Sequence, residues 1–199
     1  MAGKPGGRHL KVAIVGAHTT GKSTLVRHLA AYYANEPSVT VSPDPARSII
    51  ERSGDTDFLA PNNIDLERQF AVVIEQLIQH FLAPKESLTI YDRHFIDQIA
   101  YVEAANENIC NRAAWKIIRS TLLERAKDIT FYIHARPFTS IPADDVKEDH
   151  IFLQNRIDIL IARYLDDIGA ETVDASGEMS NRFNAATAAI NKLLNGAAT

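Results

Sequence analysis

A glycine-rich run near the start of the sequence carries the residue types that proteins use to hold phosphate groups. It reads Gly16-Ala-His-Thr-Thr-Gly-Lys22-Ser23 and fits G-x-x-x-x-G-K-[ST] at every fixed position. Glycines let the backbone curl so that successive N–H groups point at phosphate oxygens. The Lys22 ammonium can reach the β- and γ-phosphates, and the Ser23 hydroxyl can ligate Mg²⁺. With ATP and Mg²⁺ as the predicted cofactors, the candidate binding residues are Gly16, Ala17, His18, Thr19, Thr20, Gly21, Lys22, Ser23 and Thr24.

A carboxylate followed by a cation ends the third predicted strand. Asp92 follows the largely apolar run 88–91, a place where phosphate-loop proteins hold Mg²⁺, usually through water. Phosphate-loop motors and hydrolases usually have Glu at the next position to activate water, but this chain has Arg93. A cation there suits an anionic group on an acceptor, which favours phosphoryl transfer over hydrolysis. A surface ion pair that ends the strand is the simpler alternative.

Polar side chains beyond the second and third predicted strands are candidates for binding the phosphoryl acceptor. A hydroxyl nucleophile needs a carboxylate within hydrogen-bond reach, and Asp44 can serve, although Asp beside proline is also a common turn former. Arg47 can grip the acceptor or cap a helix. Asp97 and Tyr101 are four residues apart and therefore share one helix face near the site. Tyr101 suits the core at least as well as a ligand.

Two cations outside the loop are candidates for closing over the nucleotide. Arg136 follows the fourth predicted strand, and Lys147 lies in a polar, proline-flanked stretch. A cation from a closing segment can stabilise the transferring group and exclude water. Simple solvent exposure is the alternative for both side chains. We predict a lid over residues 136–150 in which Arg136 and Lys147 bind the nucleotide.

Alternating strand and helix patterns must position these residues. Apolar, largely β-branched runs predict strands over 10–15, 38–41, 87–91, 128–133 and 171–174. Helical spacing of apolar residues predicts helices over 23–34, 65–82, 95–107, 112–126, 148–168 and 178–194. The alternation requires crossover connections and a mainly parallel sheet, hence an α/β fold of three layers, α/β/α. We predict a flexible leader over 1–8 and one domain over 9–199.

Three details of this pattern concern loops and the core. The polar segment 54–63, which contains a proline, predicts a loop. Trp115 lies among small and apolar residues and is predicted to be in the core. The helix 65–82 has the strongest periodicity, with a predicted apolar face of Phe70, Val73, Ile74, Leu77 and Phe81.

Composition limits the classes of protein to consider. The chain has 199 residues and a net charge of −4, which disfavours wide nucleic-acid binding driven by bulk charge. Its one cysteine, Cys110, excludes an intrachain disulfide and fits a reducing compartment. No stretch of about 20 apolar residues predicts a membrane span, and residues 1–8 lack the apolar core of a secretory signal. We expect a cytoplasmic protein with a small-molecule substrate, and a homodimer is left open.

The run 92–101 carries a family resemblance. It reads D-R-x-x-x-D-x-x-A-Y, and with the phosphate loop it resembles the nucleoside and nucleotide kinase branch of phosphate-loop proteins. The chain is most similar to the ribosylnicotinamide-kinase-like ATP-binding family, an AAA-type domain family. Three further runs of this chain resemble elements of that family. Asp44-Pro-Ala-Arg47 resembles its acidic-x-x-Arg run, and Asp144-Asp-Val-Lys147 resembles its lid motif D-G-x-R. Glu178-Met-Ser-Asn-Arg182 resembles its late acidic and Arg element.

Thymidylate kinase is a second similar family, with the pattern D-R-Y-x-x-S-x-x-A-Y-Q. Here His94, Asp97 and Val102 stand at its Tyr, Ser and Gln positions. Ser42-Pro-Asp-Pro45 stands where that family has an Arg-Glu-Pro turn. These departures favour the first family.

The resemblance implies both a topology and a reaction. It implies a five-stranded parallel sheet in the order 2-3-1-4-5, the P-loop NTPase fold, with a mobile lid. It also implies transfer of the γ-phosphoryl group of ATP to a nucleoside or nucleoside monophosphate. In that reaction Asp44 removes the acceptor proton, and Arg93 lies beside it.

Other phosphate-loop classes fit the sequence less well. A GTPase needs N-K-x-D to read guanine, but Asn191-Lys-Leu-Leu194 lacks the aspartate. A motor of the AAA type needs Glu after Asp92 and a separate lid domain. An ATP-binding regulatory protein without a small-molecule acceptor stays open, as does a thymidylate-kinase-type monophosphate kinase.

Overall fold

A five-stranded parallel sheet forms the centre of the fold. The computed structural model describes residues 10–59, 66–84, 88–138 and 148–197. Its strands are joined in the order β2-β3-β1-β4-β5, as predicted, and Val12 lies opposite Ile90 and Phe131 on the two sides of β1. The strands are β1 (Lys11–Val15), β2 (Val39–Ser42), β3 (Leu88–Asp92), β4 (Phe131–Ala135) and β5 (Thr172–Ala175).

Seven helices are described, together with 3₁₀ helices at Thr56–Leu59 and Glu107–Asn111. The α-helices are α1 (Lys22–Tyr32), α2 (Pro45–Ser53), α3 (Leu66–Leu82), α4 (Phe95–Ala105), α5 (Ala113–Ala126), α6 (Glu148–Asp167) and α7 (Met179–Ala197). In the described part of the chain, no helix combines the length and apolarity needed to cross a membrane.

Two apolar cores cover the two faces of the sheet. Successive strand residues point to opposite faces, so Ala13 joins one core while Val12 joins the other. Helices α3 to α6 cover the first face, where Trp115 is buried as predicted. Helices α1 and α7 cover the second face. The result is the predicted arrangement of helices on both sides of one parallel sheet.

Helix α2 was not predicted. Two prolines after the second strand indicate a break, yet Pro45 occupies the first turn of α2, where a missing N–H costs nothing. The Asp44 side chain caps this helix by accepting a hydrogen bond from the Ala46 N–H at 2.9 Å. The segment 54–63, predicted as a loop, contains the 3₁₀ helix Thr56–Leu59, and residues 60–65 lie outside the described part.

Helix α3 buries only part of the apolar face that its pattern predicts, since Phe70 and Leu77 pack against the first core. Val73 is buried, but Ile74 and Phe81 are 58% and 64% exposed. The buried face instead includes polar Gln76 and His80, four residues apart. The neighbouring helices α2 and α4 cover only part of the wide apolar surface of α3, and Ile74 and Phe81 lie outside that part, which is why the prediction was wrong for these two residues.

A buried histidine pair lies under the start of α4. Nδ1 of His80 is 3.3 Å from Nε2 of His94. Nε2 of His80 is 3.2 Å from both Asp128 Oδ2 and Lys11 Nζ. Burial and then Lys11 lower the pKa of His80, and burial together with His80 holds the pKa of His94 well below its usual range. Both rings are therefore neutral in the folded protein near neutral pH.

We predict that acidification below about pH 6.5 lowers the free energy of unfolding, since unfolded histidines bind protons that the folded ones exclude. The variant His80→Gln removes one of these groups, so its stability should depend less on pH down to about pH 5. Urea unfolding across this range measures the effect. His28→Gln, at an exposed position of α1, should keep the wild-type slope. Equal slopes for His80→Gln and wild type would contradict the prediction.

Candidate active site

The glycine-rich run forms a tight loop between β1 and α1. Gly16 has φ 153°, and a Cβ there would lie 2.4 Å from the Ala135 carbonyl oxygen, so only glycine fits. Gly21 has φ 78° and directly precedes α1. The loop thus turns sharply at two glycines and delivers the N-terminus of α1 to its inner side, a favourable place for an anion.

A cavity of about 280 Å³ opens over this loop. Its lining contains most of the predicted ATP-binding residues and three of the predicted acceptor-side residues: His18, Thr19, Thr20, Gly21, Lys22, Ser23, Thr24, Asp44, Arg47 and Arg93. A larger cavity of about 510 Å³ lies at the opposite edge of the sheet, beside Leu10 and Phe131. It is lined by the ends of strands and by α7, and none of the candidate residues reaches it.

Lys22 is buried under the loop, where its ammonium group contacts loop oxygens. Nζ donates to the Ala17 carbonyl oxygen and lies 3.3 Å from Thr20 Oγ1. Burial, followed by the nearby charge of Arg93, lowers the pKa of Lys22 to about 7. A phosphate in the cavity supplies the negative charge that keeps this amine protonated.

Asp92 is buried at the end of β3, where the sequence predicts a Mg²⁺ ligand. Its Oδ1 has no hydrogen-bond partner among the described residues. Burial and then the Asp44 charge raise the pKa of Asp92. A carboxylate oxygen without a partner and the half-buried Ser23 hydroxyl fit a hard cation that takes oxygen ligands, as Mg²⁺ does.

Ser23 and Asp92 are the candidate protein ligands for a metal ion at this site. In the described ranges, no group of three or more His, Cys, Asp or Glu side chains is placed to hold a metal ion. Mg²⁺ usually keeps several waters and is bound by one or two carboxylates plus substrate phosphates. The arrangement around Asp92 therefore fits a cation that arrives with a nucleotide.

Arg93 and Asp44 form an ion pair beside the loop. Nε of Arg93 lies 2.8 Å from Asp44 Oδ2, and both side chains are largely buried. Arg93 has φ 73°, a backbone conformation that non-glycine residues rarely adopt, and its guanidinium lies 5.0 Å from the ring centre of Tyr101. Strained backbone, ion pair and ring together fix the direction of the Arg93 side chain. Arg47 lines the same cavity and is exposed.

Asp97 is predicted to contact the substrate, but it is not among the residues that line the cavity over the loop. It is fully buried. Oδ1 accepts the Gly16 N–H at 3.0 Å, and Oδ2 accepts the His94 N–H at 3.1 Å. Burial raises its pKa, and the charges of Arg93 and Lys22 oppose that shift. Asp97 therefore anchors the phosphate loop to the start of α4, and Tyr101 supports Arg93.

Of the two predicted lid cations, the structure describes Arg136 only, and Arg136 is not among the residues that line the cavity over the loop. Arg136 pairs with Asp158 at 3.1 Å and with Asp174 at 3.2 Å, and its role at the nucleotide stays a prediction. These two carboxylates hold the guanidinium against α6 and β5. Lys147, and with it residues 139–147 of the predicted lid, lie outside the described part of the chain.

Two buried polar residues, Gln154 and Arg182, contact the loop, and the sequence patterns do not predict either contact. Nε2 of Gln154 in α6 donates to the His18 carbonyl oxygen at 2.8 Å. Nη1 of Arg182 in α7 donates to the Thr20 carbonyl oxygen at 2.9 Å. A signal for Gln154 exists in the sequence, because it lies on the apolar face that Ile157 and Ile161 define.

Fold and loop together define a P-loop α/β protein with five parallel strands. A family model described as an AAA domain matches residues 11–182, so the chain belongs to this AAA domain family. Among curated proteins, it is 34% identical over 102 residues to a thymidylate kinase of Helicobacter hepaticus (strain ATCC 51449 / 3B1). That match covers 47% of the chain and 51% of the relative, so the chain spans about half the length of the curated protein it matches.

Solved structures with the same fold include two similar proteins. Thymidylate kinase from Ehrlichia chaffeensis has a TM-score of 0.63 at 14% identity, covering 94% of this chain and 99% of that one. NadR protein in complex with NR has a TM-score of 0.61 at 17% identity, covering 85% of this chain and 46% of that one. At such identities the likeness shows the fold. With the family match, it confirms the predicted resemblance to P-loop kinases of this type.

We predict that Asp97→Asn destabilises the loop and the whole chain. The amide offers one acceptor where two backbone N–H groups need one each, so a buried donor loses its partner at a cost of about 1–3 kcal/mol. The melting temperature should fall, and the affinity for Mg-ATP, measured by calorimetry, should fall with it. Asp167→Asn, at an exposed position of α6, is the matched control. An Asp97→Asn protein as stable as this control would contradict the anchoring role.

Proposed function

We propose that this protein is an ATP- and Mg²⁺-dependent phosphotransferase that moves the γ-phosphoryl group to a nucleoside or nucleoside monophosphate. One observation carries the proposal: the Asp44–Arg93 ion pair lines the same cavity as the phosphate loop. A carboxylate and an arginine beside a phosphate-binding loop suit an acceptor group. Arg93 follows Asp92 where a hydrolase usually has a water-activating Glu.

On the donor side, the loop and Lys22 bind the triphosphate. The backbone N–H groups and the N-terminus of α1 contact the phosphate oxygens, and the Lys22 ammonium balances the charge of the β- and γ-phosphates. Ser23 and Asp92 would hold Mg²⁺, which neutralises charge on the same two phosphates when it is bound. These residues act on any acceptor in the same way, so they do not select it.

On the acceptor side, Asp44 and Arg93 have separate tasks. A hydroxyl acceptor gives its proton to Asp44 as its oxygen forms a bond to the γ-phosphorus. The bond between that phosphorus and the β–γ bridging oxygen breaks, and ADP leaves with the electron pair. Arg93 balances the charge on the transferring group. Closure of a lid that contains Lys147 would exclude water from this step.

The second candidate is a nucleoside monophosphate kinase of the thymidylate-kinase type. The curated match to a thymidylate kinase supports it. A monophosphate acceptor attacks through an oxygen that carries no proton near neutral pH, so Asp44 has no proton to remove. Arg93 and the exposed Arg47 would then hold the acceptor phosphate. An ATP-binding regulatory protein without an acceptor is the third candidate.

A direct assay separates these candidates. The protein is incubated with Mg-ATP and a panel of nucleosides and nucleoside monophosphates, and the phosphorylated product is identified by mass spectrometry. Lys22→Ala should slow transfer by about 10²- to 10³-fold, and Asp44→Asn should slow transfer to a nucleoside by about 10²-fold or more. Asp167→Asn should keep the wild-type rate.

The acceptor decides between the outcomes. Transfer only to monophosphates, with Asp44→Asn nearly as active as wild type, would establish the second candidate. Loss of ATP to water with no phosphorylated acceptor would support the regulatory class. Full activity of Lys22→Ala with any acceptor would contradict the proposed mechanism of phosphoryl transfer.

We also propose that two copies of the chain pair through α3. Four large apolar side chains lie on one exposed stripe of this helix: Ile74 (58%), Ile78 (46%), Phe81 (64%) and Leu82 (77%). Exposed apolar side chains that adjoin one another on a surface often mark a site of protein–protein interaction. The stripe carries no charge, so a twofold axis can place it against itself without bringing like charges together. A second copy is therefore the occupant that we infer.

We expect a dimer in sedimentation velocity experiments at micromolar concentrations. Ile78→Lys places a charge in the stripe and should give a folded monomer. Ile117→Lys makes the same change at an exposed position of α5 and should stay dimeric. A wild-type monomer at the highest concentration, or equal dissociation by both variants, would contradict the α3 interface.

Three expectations from the sequence stay predictions: the cytoplasmic location, the lid over 136–150, and the organisation as one domain after a leader. The described residues of the family match, 11–182, contribute to one sheet and its helices, which supports the last of these. Residues 1–8 lie outside the described part.

A further inference from the structure

We propose that Gln154 and Arg182 are positioning residues that hold the phosphate loop in its anion-binding conformation before any ligand is bound. The inference rests on the proposed function, because it concerns the same loop. Neither residue lines the cavity over the loop. Both are buried polar side chains that reach the loop from the outside, from two different helices.

Gln154 holds the middle of the loop from α6. It is 4% exposed, although glutamine usually lies at the surface. Its Nε2 lies 2.8 Å from the His18 carbonyl oxygen and 2.8 Å from Thr19 Oγ1, so one amide group contacts two consecutive residues. Thr19 has φ 57°, a conformation that threonine rarely adopts without outside support. The Gln154 amide supplies such support.

Arg182 holds the end of the loop from the first turn of α7. It is fully buried. Nη1 donates to the Thr20 carbonyl oxygen at 2.9 Å and to the Arg136 carbonyl oxygen at 2.8 Å, and Nε donates to the Gly177 carbonyl oxygen at 2.7 Å. The guanidinium therefore joins the phosphate loop to the segments that follow β4 and β5.

The charge of Arg182 adds to this mechanical role. In the described ranges, its hydrogen bonds go to backbone carbonyl oxygens, and its guanidinium lies 4.1 Å from the ring centre of Phe138. Its Nη2 is buried and has no partner among the described residues. Asp174 and Glu178 lie near enough to offset part of this charge, but the direct hydrogen bonds of the guanidinium go to neutral oxygens, so positive potential remains at the loop in a medium of low dielectric constant. Arg182 therefore favours an anionic ligand as well as the loop conformation.

Peptide geometry connects these bonds to phosphate binding. In a trans peptide unit, the C=O and the following N–H point in opposite directions. Gln154 holds the His18 carbonyl towards α6, so the Thr19 N–H points away from α6. Arg182 holds the Thr20 carbonyl towards α7, so the Gly21 N–H points away from α7. Thr19 and Gly21 both line the cavity over the loop, so N–H groups that point away from the two helices are placed to donate to a phosphate there.

Preorganisation of this kind changes affinity rather than contacts. A loop that is already ordered loses little conformational freedom when the ligand binds, whereas a loose loop must be ordered at that moment. Removal of either donor should therefore weaken binding of any phosphate chain, whether or not a nucleoside is attached.

The experiment compares the full chain with Gln154→Leu and Arg182→Met, which keep side-chain size and remove the donors. Calorimetry measures binding of Mg-ATP and of inorganic tripolyphosphate. Hydrogen exchange without ligand measures the mobility of a peptide that covers 16–24. We expect each variant to bind both ligands about tenfold or more weakly and to exchange faster in the loop. Arg182→Lys keeps the charge and should recover part of the affinity.

Matched controls lie on the same two helices. Arg163→Met changes an exposed residue of α6 whose ion pair is within that helix. Thr187→Val removes a hydroxyl whose hydrogen bonds are within α7. Both should keep wild-type affinity and loop exchange. If Gln154→Leu does not fold, Gln154→Glu keeps the shape and replaces the donor by an acceptor, with the same expected losses.

The outcomes separate this inference from the proposed function. Wild-type affinity and unchanged loop exchange in both variants would overturn the positioning role. A lower melting temperature with unchanged affinity would overturn it too, since a purely structural contact behaves in that way. If the wild-type chain binds neither ATP nor tripolyphosphate, the proposed function fails. In that case, hydrogen exchange of the loop that is faster in the Gln154 and Arg182 variants than in the wild type and the controls would still support the positioning role.

Discussion

The two hydrogen bonds that Asp97 accepts are the constraint on which the site depends. One oxygen holds the Gly16 N–H at the start of the phosphate loop, and the other holds the His94 N–H at the start of α4. Arg93 lies between β3 and that helix, in a left-handed conformation. A single buried carboxylate therefore fixes both the phosphate-binding backbone and the residue after Asp92. The donor and acceptor sides of the cavity cannot move independently.

Buried charge is the second constraint, and it makes the site dependent on its ligands. Lys22 and Arg93 lie among Asp44, Asp92 and Asp97, and burial is the largest influence on the pKa of Lys22, Asp92 and Asp97. It lowers the pKa of the amine and raises the pKa of both carboxyl groups. Each shift penalises the charged form that the proposed chemistry needs. A phosphate favours the ammonium and a cation favours the carboxylate, so binding of the two together restores the ionised state.

The sequence predicts the architecture and the phosphate loop well because both are local patterns. Alternating apolar strands and periodic helices are determined by neighbouring residues, and the loop motif has fixed spacing. The strand order came from the family resemblance and is confirmed. Helix α2 is the exception, because a proline after a strand indicates a break, whereas Pro45 starts a helix that Asp44 caps.

The other differences depend on contacts between distant segments, which no local pattern contains. The sequence cannot tell which part of the apolar surface of α3 the neighbouring helices cover, and Ile74 lies on the uncovered part. Arg136 is paired by Asp158 and Asp174, which are 22 and 38 residues further along the chain. Gln154 and Arg182 reach a loop more than 130 residues before them. For the three polar residues, a charge or an amide contacts a partner that only the tertiary fold brings near.

Asp44 connects acceptor chemistry to a structural element. One of its oxygens caps α2 and the other pairs with Arg93, so both oxygens already accept hydrogen bonds. An acceptor hydroxyl must therefore share or replace one of these partners. Loss of the cap would release the first turn of α2, while loss of the ion pair would free the Arg93 guanidinium beside the phosphate loop. The second exchange leaves the fold intact and supplies a cation where negative charge develops, so a bound hydroxyl should compete with Arg93 for Oδ2.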